Sequence, residues 1–292
     1  MLKQRIITAL VLLALVLVLL MGTQLNFFAG VIAVVVYMVA LEWAKLAGYK
    51  KNMAMTGFAV AVTLVNLFIW YTSGDFIVWP SPSWPSYVVW DNPIIVLAAS
   101  LLVILLAVSV VLGYSNLPKW WANNLLISLF GLVLLPAFFV SLVSIRSTAY
   151  LQDFYHGGLL VLFMFCLIWA ADTGAYITGK LFGKNKLAPV VSPNKTWEGA
   201  FGGFLLSVAI GYTGAFLLGL DIDNWVIFTA VLVVLAIMSV IGDLFESALK
   251  RVSNIKDSGN LLPGHGGLLD RLDSTIIVAP LFYLSFSYFG WF

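Results

Sequence analysis

The sequence predicts an all-α, polytopic integral membrane protein with about nine transmembrane helices, and three observations carry that prediction. Of its 292 residues, 62% are hydrophobic and only 10% are charged, giving a mean hydropathy of +1.04. Soluble domains hold about half apolar and about a quarter charged residues. The apolar residues also fall into runs of about 20, the length a bilayer demands. Finally, lysine and arginine collect in alternate connecting segments, the distribution expected of loops kept in the cytoplasm.

Taken in order, the runs predict helices near 6–22, 26–46, 54–72, 93–112, 122–143, 158–179, 199–219, 224–242 and 273–290. The first follows Lys3 and Arg5, as in a signal peptide, but its apolar run is long. No small-residue cleavage site follows at MGTQLN, so it reads as an uncleaved anchor. The longer connections are 73–92, 180–198 and 243–272, and no repeat or low-complexity tract marks a separate soluble domain. Two transmembrane regions are expected, 1–143 and 144–292.

Placing the N-terminus inside puts Lys3, Arg5, Lys45, Lys50, Lys51, Lys119, Lys180, Lys184, Lys186, Lys195, Lys250, Arg251, Lys256 and Arg271 in the cytoplasm. Of the 15 cations only Arg146 falls outside, where Asp75, Asp91, Asp153, Asp221 and Asp223 collect. The N-terminus is therefore expected inside and the C-terminus outside. Trp79, Trp84 and Trp90, interleaved with Pro80, Pro82 and Pro85, then read as an external interfacial belt. A net charge of +2 gives no reason to expect nucleic acid, and the single cysteine, Cys166, excludes an intrachain disulfide.

Against this background one stretch stands apart. Residues 243–274 read DLFESALKRVSNIKDSGNLLPGHGGLLDRLDS and concentrate Asp243, Glu246, Lys250, Arg251, Lys256, Asp257, Asp270, Arg271 and Asp273. Nothing before Arg251 breaks a helix, so the eighth helix is expected to continue past Ile241 with Asp243, Glu246, Ser247 and Lys250 on one face. Leu244, Phe245, Ala248 and Leu249 occupy the other. A solvated helix end with an ordinary Glu246–Lys250 pair is the plainer alternative. The glycines at 259, 264, 266 and 267 and Pro263 then predict irregular backbone whose N–H groups can turn toward a ligand. The ninth helix should open with Asp270 and Asp273 at i, i+3, either to complement the helix dipole or to supply oxygen ligands to a hard cation such as Mg²⁺ beside a phosphate.

Two further clusters face the same side. Asp172 lies in the apolar run WAADTGAYITGK, and an ionisable group at that depth marks a functional site by default, with buried packing against Thr or Tyr as the alternative. In SPNKTWEG, Ser192 suits a helix N-cap and Pro193 its first turn. That would leave Lys195 beside a helix start able to bind phosphate, unless it only marks topology.

The run from Ser247 to Asp273, SALKRVSNIKDSGNLLPGHGGLLDRLD, resembles the family signature of the phosphatidate cytidylyltransferases, the CDP-diacylglycerol synthases, at all of its fixed positions. The upstream SPNKTWEG resembles a second block of that family. The resemblance implies transfer of a cytidylyl group from CTP to phosphatidic acid, releasing pyrophosphate. It implies metal ligation by Asp243 and Asp270, with Asp273 as a further candidate in catalysis. It implies nucleotide and phosphate contacts from Lys195, Lys250, Arg251, Lys256, His265 and Arg271. It extends the substrate-binding set to Ser192, Asn194, Thr196, Glu198, Ser247, Asp257, Gly266 and Gly267, with Asp172 beside them. It also implies Mg²⁺, with a monovalent cation as a second candidate ion, and a homodimer in the inner membrane, with 144–292 as the catalytic region and 1–143 as scaffold and candidate dimerisation surface.

Chemistry fits that implication. A phosphate monoester is largely ionised at neutral pH, so the nucleophile needs no strong base. The demand is to bring two anions together and to stabilise charge on leaving pyrophosphate. His265 is accordingly expected to donate to phosphate or organise its loop before it shuttles protons. CTP is cytosolic, which matches a site on the cytoplasmic face. The competing class is a secondary transporter with Asp172 and the charged island as its ion path; it would call for inverted repeats, which the sequence does not show. The D-G-x-x-A-R run of the CDP-alcohol phosphotransferases is absent, and of the paired aspartate-rich motifs of membrane prenyltransferases Asp270 and Asp273 imitate only a fragment of one.

Overall fold

A computed structural model describes residues 2–72, 91–114, 120–261 and 266–292. The tryptophan-rich segment before Asp91, Lys119 and His265 lie outside these residues. The chain forms helices α1 (Leu2–Gly22), α2 (Leu25–Leu46), α3 (Asn52–Thr72), α4 (Asp91–Gly113), α5 (Asn124–Ser147) and α6 (His156–Phe182). After a short hairpin of β1 (Lys186–Ala188) and β2 (Ser192–Thr196) come α7 (Trp197–Leu218), α8 (Trp225–Val252) and α9 (Leu269–Phe289). Among the described residues, α2 to α9 provide eight helices long and apolar enough to cross a membrane, and α1 adds a shorter apolar run, Leu10–Gly22. The fold is thus nearly all-α and polytopic, and α8 continues past Ile241 as its sequence predicts.

Local chemistry explains several boundaries. Asn123 caps α5 by accepting from the Leu126 N–H at 2.9 Å, and Asn224 caps α8 by accepting from Val226 at 3.0 Å and Ile227 at 3.2 Å. Gly219 and Gly290 end α7 and α9 in the left-handed conformation. Pro136 and Pro280 sit inside α5 and α9, as membrane helices allow when neighbours supply the freed polar groups.

Helix α5 is the central post. From Leu134 to Ser147 every residue is buried, and it packs against α2, α3, α4, α6 and α9. Arg146, the one cation expected outside from the sequence, is buried at its end. Its guanidinium donates to the carbonyls of Phe154 at 3.1 Å and Thr23 at 3.2 Å, and lies over the Tyr150 and Phe154 rings. Helices α6 and α7 form the most extensive pair in the molecule. Small residues let them meet: a Cβ on Gly203 would collide with the Ala171 carbonyl.

One local expectation is corrected. Ser192 and Pro193 do not start α7; residues 192–196 form β2, antiparallel to β1 in the register Lys186 to Thr196 and Ala188 to Ser192. The cap of α7 is Thr196, whose hydroxyl oxygen accepts from the Gly199 N–H at 3.2 Å. Ser-Pro satisfies the local rules for a helix start, but pairing with a strand six residues earlier wins.

Candidate active site

The polar side chains of α6, β2, α8 and α9 converge on two adjoining cavities. The larger, about 370 Å³, is lined by Trp169, Asp172, Asp243, Lys250, Asp257, Asp270, Arg271, Asp273 and Ser274. The second, about 290 Å³, is lined in part by Asn194, Lys195 and Thr196, and shares Asp172 and Asp243 with the first. Of the residues singled out in the sequence, these two spaces gather Asp172, Asn194, Lys195, Thr196, Asp243, Lys250, Asp257, Asp270, Arg271 and Asp273.

Ion pairs tie the elements together. Lys195 Nζ on β2 lies 2.7 Å from Asp243 Oδ2 on α8. The hairpin thus carries its lysine to a carboxylate rather than leaving it beside free N–H groups at a helix start. Two turns beyond Asp243, Lys250 pairs with Glu246 on its own helix and with Asp270 Oδ1 on α9 at 2.9 Å. Glu246 is 2% exposed, so the pair is buried and not the solvated helix end of the plainer alternative. Ser247 Oγ donates to Asp243 at 3.3 Å. The opposite face of α8 is core: Phe245 meets the rings of Trp43 and Phe130.

Asp270 is engaged by three donors. Besides Lys250 it accepts from the Ser258 N–H at 3.1 Å and the Gly267 N–H at 2.8 Å. Those two backbone donors of the glycine-rich loop are turned onto Asp270, whereas the sequence had them available to a ligand. Asp273 accepts from the N–H of Ser274 at 2.7 Å.

The largest omission of sequence reasoning is Glu42. It lies on α2, is 6% exposed, and accepts from Ser258 Oγ at 3.1 Å and the Leu269 N–H at 2.8 Å. It therefore ties Ser258, within the loop between α8 and α9, to the first residue of α9. Gly267 is needed for that contact: a Cβ there would collide with Ser258 Oγ and stand 2.6 Å from Glu42 Oε2. A lone acid inside the apolar run VVVYMVALEWAKL was the available signal. Lys45 and Leu46 extend the same seam, through Lys45 Nζ to the Ser258 carbonyl at 3.5 Å and Ser253 Oγ to the Leu46 carbonyl at 2.5 Å.

Other expected residues lie outside both cavities. Glu198 turns to the segment after α6, accepting from the N–H groups of Lys184 at 3.1 Å and Asn185 at 3.2 Å. Arg251 Nε donates to the Val191 carbonyl at 3.3 Å, tying α8 to the hairpin turn. Lys256 is exposed, and Ser192 belongs to the strand pairing. Gly266 and Gly267 shape the loop.

The donor set fits a hard divalent cation held in part by substrate. Asp243 and Asp270 face one cavity; of the about four lone-pair sites on a carboxylate, Lys195 and Ser247 occupy two on Asp243 and Lys250, Ser258 and Gly267 occupy three on Asp270, so Asp243 keeps the greater capacity for a metal. No three His, Cys, Asp or Glu side chains among the described residues form a ready metal cluster. Mg²⁺ commonly takes one or two carboxylates and completes its shell with water and substrate phosphates.

An all-helical membrane scaffold with carboxylates and cations around a polar cavity defines a class: an integral membrane enzyme that handles anionic substrates. Comparison with known proteins narrows it. The model of the cytidylyltransferase family matches residues 3–289, and the chain belongs to that family. It is 36% identical over 298 residues to the phosphatidate cytidylyltransferase of Haemophilus influenzae, covering 99% of each chain. It is 36% identical over 295 residues to that of Pseudomonas aeruginosa, covering 100% of this chain and 99% of the relative. With the enzyme of Staphylococcus haemolyticus it shares 33% identity over 282 residues, 96% of each. Family membership decides between the two classes weighed from sequence in favour of the nucleotidyltransferase over the transporter.

Proposed function

We propose that this chain is a phosphatidate cytidylyltransferase, converting CTP and phosphatidic acid to CDP-diacylglycerol and pyrophosphate. The observation that carries the reading is the convergence of Asp172, Asp243, Lys250, Asp270, Arg271 and Asp273 on one cavity, in a chain aligned end to end with relatives of that name. An oxygen of the phosphatidate monoester attacks the α-phosphorus of CTP, and the bond from that phosphorus to the bridging oxygen of the β-phosphate breaks.

The chain's own work is positioning and charge balance. Arg271 and Lys250 lower the repulsion between the two anions, and Lys195 reaches the adjoining pocket from β2. Asp243 and Asp270 would hold Mg²⁺, which supplies Lewis-acid neutralisation of the phosphates when bound; a monovalent cation is a second candidate. Glu42, through Ser258 and Leu269, keeps the loop and the start of α9 in register with Lys250. In this reading His265 donates to phosphate or organises that loop, and residues 1–143 serve as scaffold to the catalytic half, 144–292.

The positive-inside count supports an N-terminus in the cytoplasm, all nine helices crossing the inner membrane, and an active site open to cytosolic CTP. A homodimer is part of the same proposal. The test is pyrophosphate release by purified protein in detergent with CTP, phosphatidic acid and Mg²⁺. Release is expected only when all three are present; release without lipid, or none at all, contradicts the assignment.

A further inference from the structure

Beside the polar cavity lies a second space of different chemistry. A groove of about 600 Å³ runs between α6 and α7, with walls that include Leu162, Phe163, Cys166, Trp169, Ile210 and Gly214. Its lining is almost wholly apolar. Of its two threonines, Thr213 turns its hydroxyl back to the Ala209 carbonyl at 2.9 Å, so that wall offers carbon to an occupant.

Along α6 the groove extends from Leu159 to Thr173, fourteen residue steps or about 21 Å at 1.5 Å per residue. One leaflet of bilayer hydrocarbon is about 15 Å thick, half of the core. The groove is therefore long enough to take one fatty acyl chain lengthwise.

Its end decides the occupant. Trp169 lines both this groove and the cavity holding Asp172, Lys250, Asp270 and Arg271, and its ring is fixed by stacking on Phe165 with centroids 5.6 Å apart. An indole of this kind suits a boundary with one apolar and one polar side. A molecule whose phosphate sits among Lys250 and Arg271 has its hydrocarbon delivered to the mouth of the groove.

The geometry points to the α6–α7 groove as the binding site for one acyl chain of the lipid phosphate substrate, with Trp169 marking the junction between chain and headgroup. The inference rests on the phosphatidate reading above. The groove ranks substrates by chain length: a chain arriving from the bilayer gains no transfer energy from water, since lipid tails are as apolar as the groove, so the preference comes from the dispersion contacts that a longer chain makes with the fixed walls, while the polar cavity performs the same chemistry on any of them.

The experiment compares dioleoyl with dihexanoyl phosphatidic acid as substrates of the purified wild type and of Cys166→Trp, which fills the middle of the groove. Ile210→Phe fills it from the facing helix, and Phe216→Trp, on an 84% exposed position outside it, is the control. Both groove variants are expected to raise the KM for the dioleoyl lipid about tenfold, the equivalent of about 1.4 kcal/mol, with kcat and the dihexanoyl reaction within about twofold of wild type. The control should behave as wild type. Unchanged dioleoyl KM in both groove variants, or equal loss on both lipids, overturns the inference. A wild type that turns over neither lipid refutes the phosphatidate reading itself, a distinct result from selective failure of the groove.

Discussion

Asp270 and Glu42 divide the loop between α8 and α9 between them, one facing the cavity and one behind it. Asp270→Asn removes the charge that Lys250, Ser258 and Gly267 address together. Because charge-assisted contacts of this kind are the strong ones, turnover should fall by about a hundredfold or more, in the range found when one electrostatic stabiliser is removed. The elution profile in detergent should stay unchanged; near-normal turnover would remove Asp270 from the site. Glu42→Ala should act differently. It leaves Ser258 Oγ and the Leu269 N–H without their acceptor, which costs about 1–3 kcal/mol, so thermal stability in detergent and activity should fall together, and Glu42→Gln should recover part of both. Lys195→Ala should raise the KM for CTP or lipid while leaving the melting temperature close to wild type; unchanged kinetics would confine Lys195 to topology. Asp243, Asp270 and Lys250 were readable because charge is rare in this chain. Glu42 was harder to see, since its partners lie 216 and 227 residues away.

The elements show where local rules suffice and where they fail. The spans predicted from apolar runs lie within a few residues of the observed helices, because a bilayer imposes both length and hydropathy on each one independently. The continuation of α8 to Val252 was legible because only helix-compatible residues follow Gly242. The hairpin was not. Its two short strands gain their meaning from each other and from Lys195 reaching Asp243, contacts that no property of SPNKT announces. Thr196 as cap carries an expected outcome: Thr196→Ala should cost about 1 kcal/mol through loss of the bond to Gly199, read as a lower melting temperature. Gly267→Ala should leave helix content by circular dichroism intact yet cut turnover strongly, since its Cβ has no room between Ser258 and Glu42. A fully active Gly267→Ala protein would show that the loop relaxes without consequence.

In the whole molecule, the half nearest the N-terminus does more than fill the membrane. Helix α2 supplies Glu42 and Lys45 to the loop between α8 and α9, and the buried post of α5 packs against both α2 and α9, so the candidate site depends on both halves of the chain. That dependence was hidden in a sequence whose first five helices carry no motif. The uneven charge of the loops was visible, and under the positive-inside rule it would put CTP and the proposed site on one side of the bilayer. The central claim is that the α6, β2, α8 and α9 cavity transfers a cytidylyl group to a lipid phosphate with help from a divalent cation. The most direct measurement follows radiolabelled CTP into the lipid phase with purified protein and phosphatidic acid, first with Mg²⁺ chelated and then with it restored. Label should enter CDP-diacylglycerol only after restoration, in step with pyrophosphate release, and Asp270→Asn should abolish both; label entering lipid without the metal, or undiminished in that variant, would contradict it.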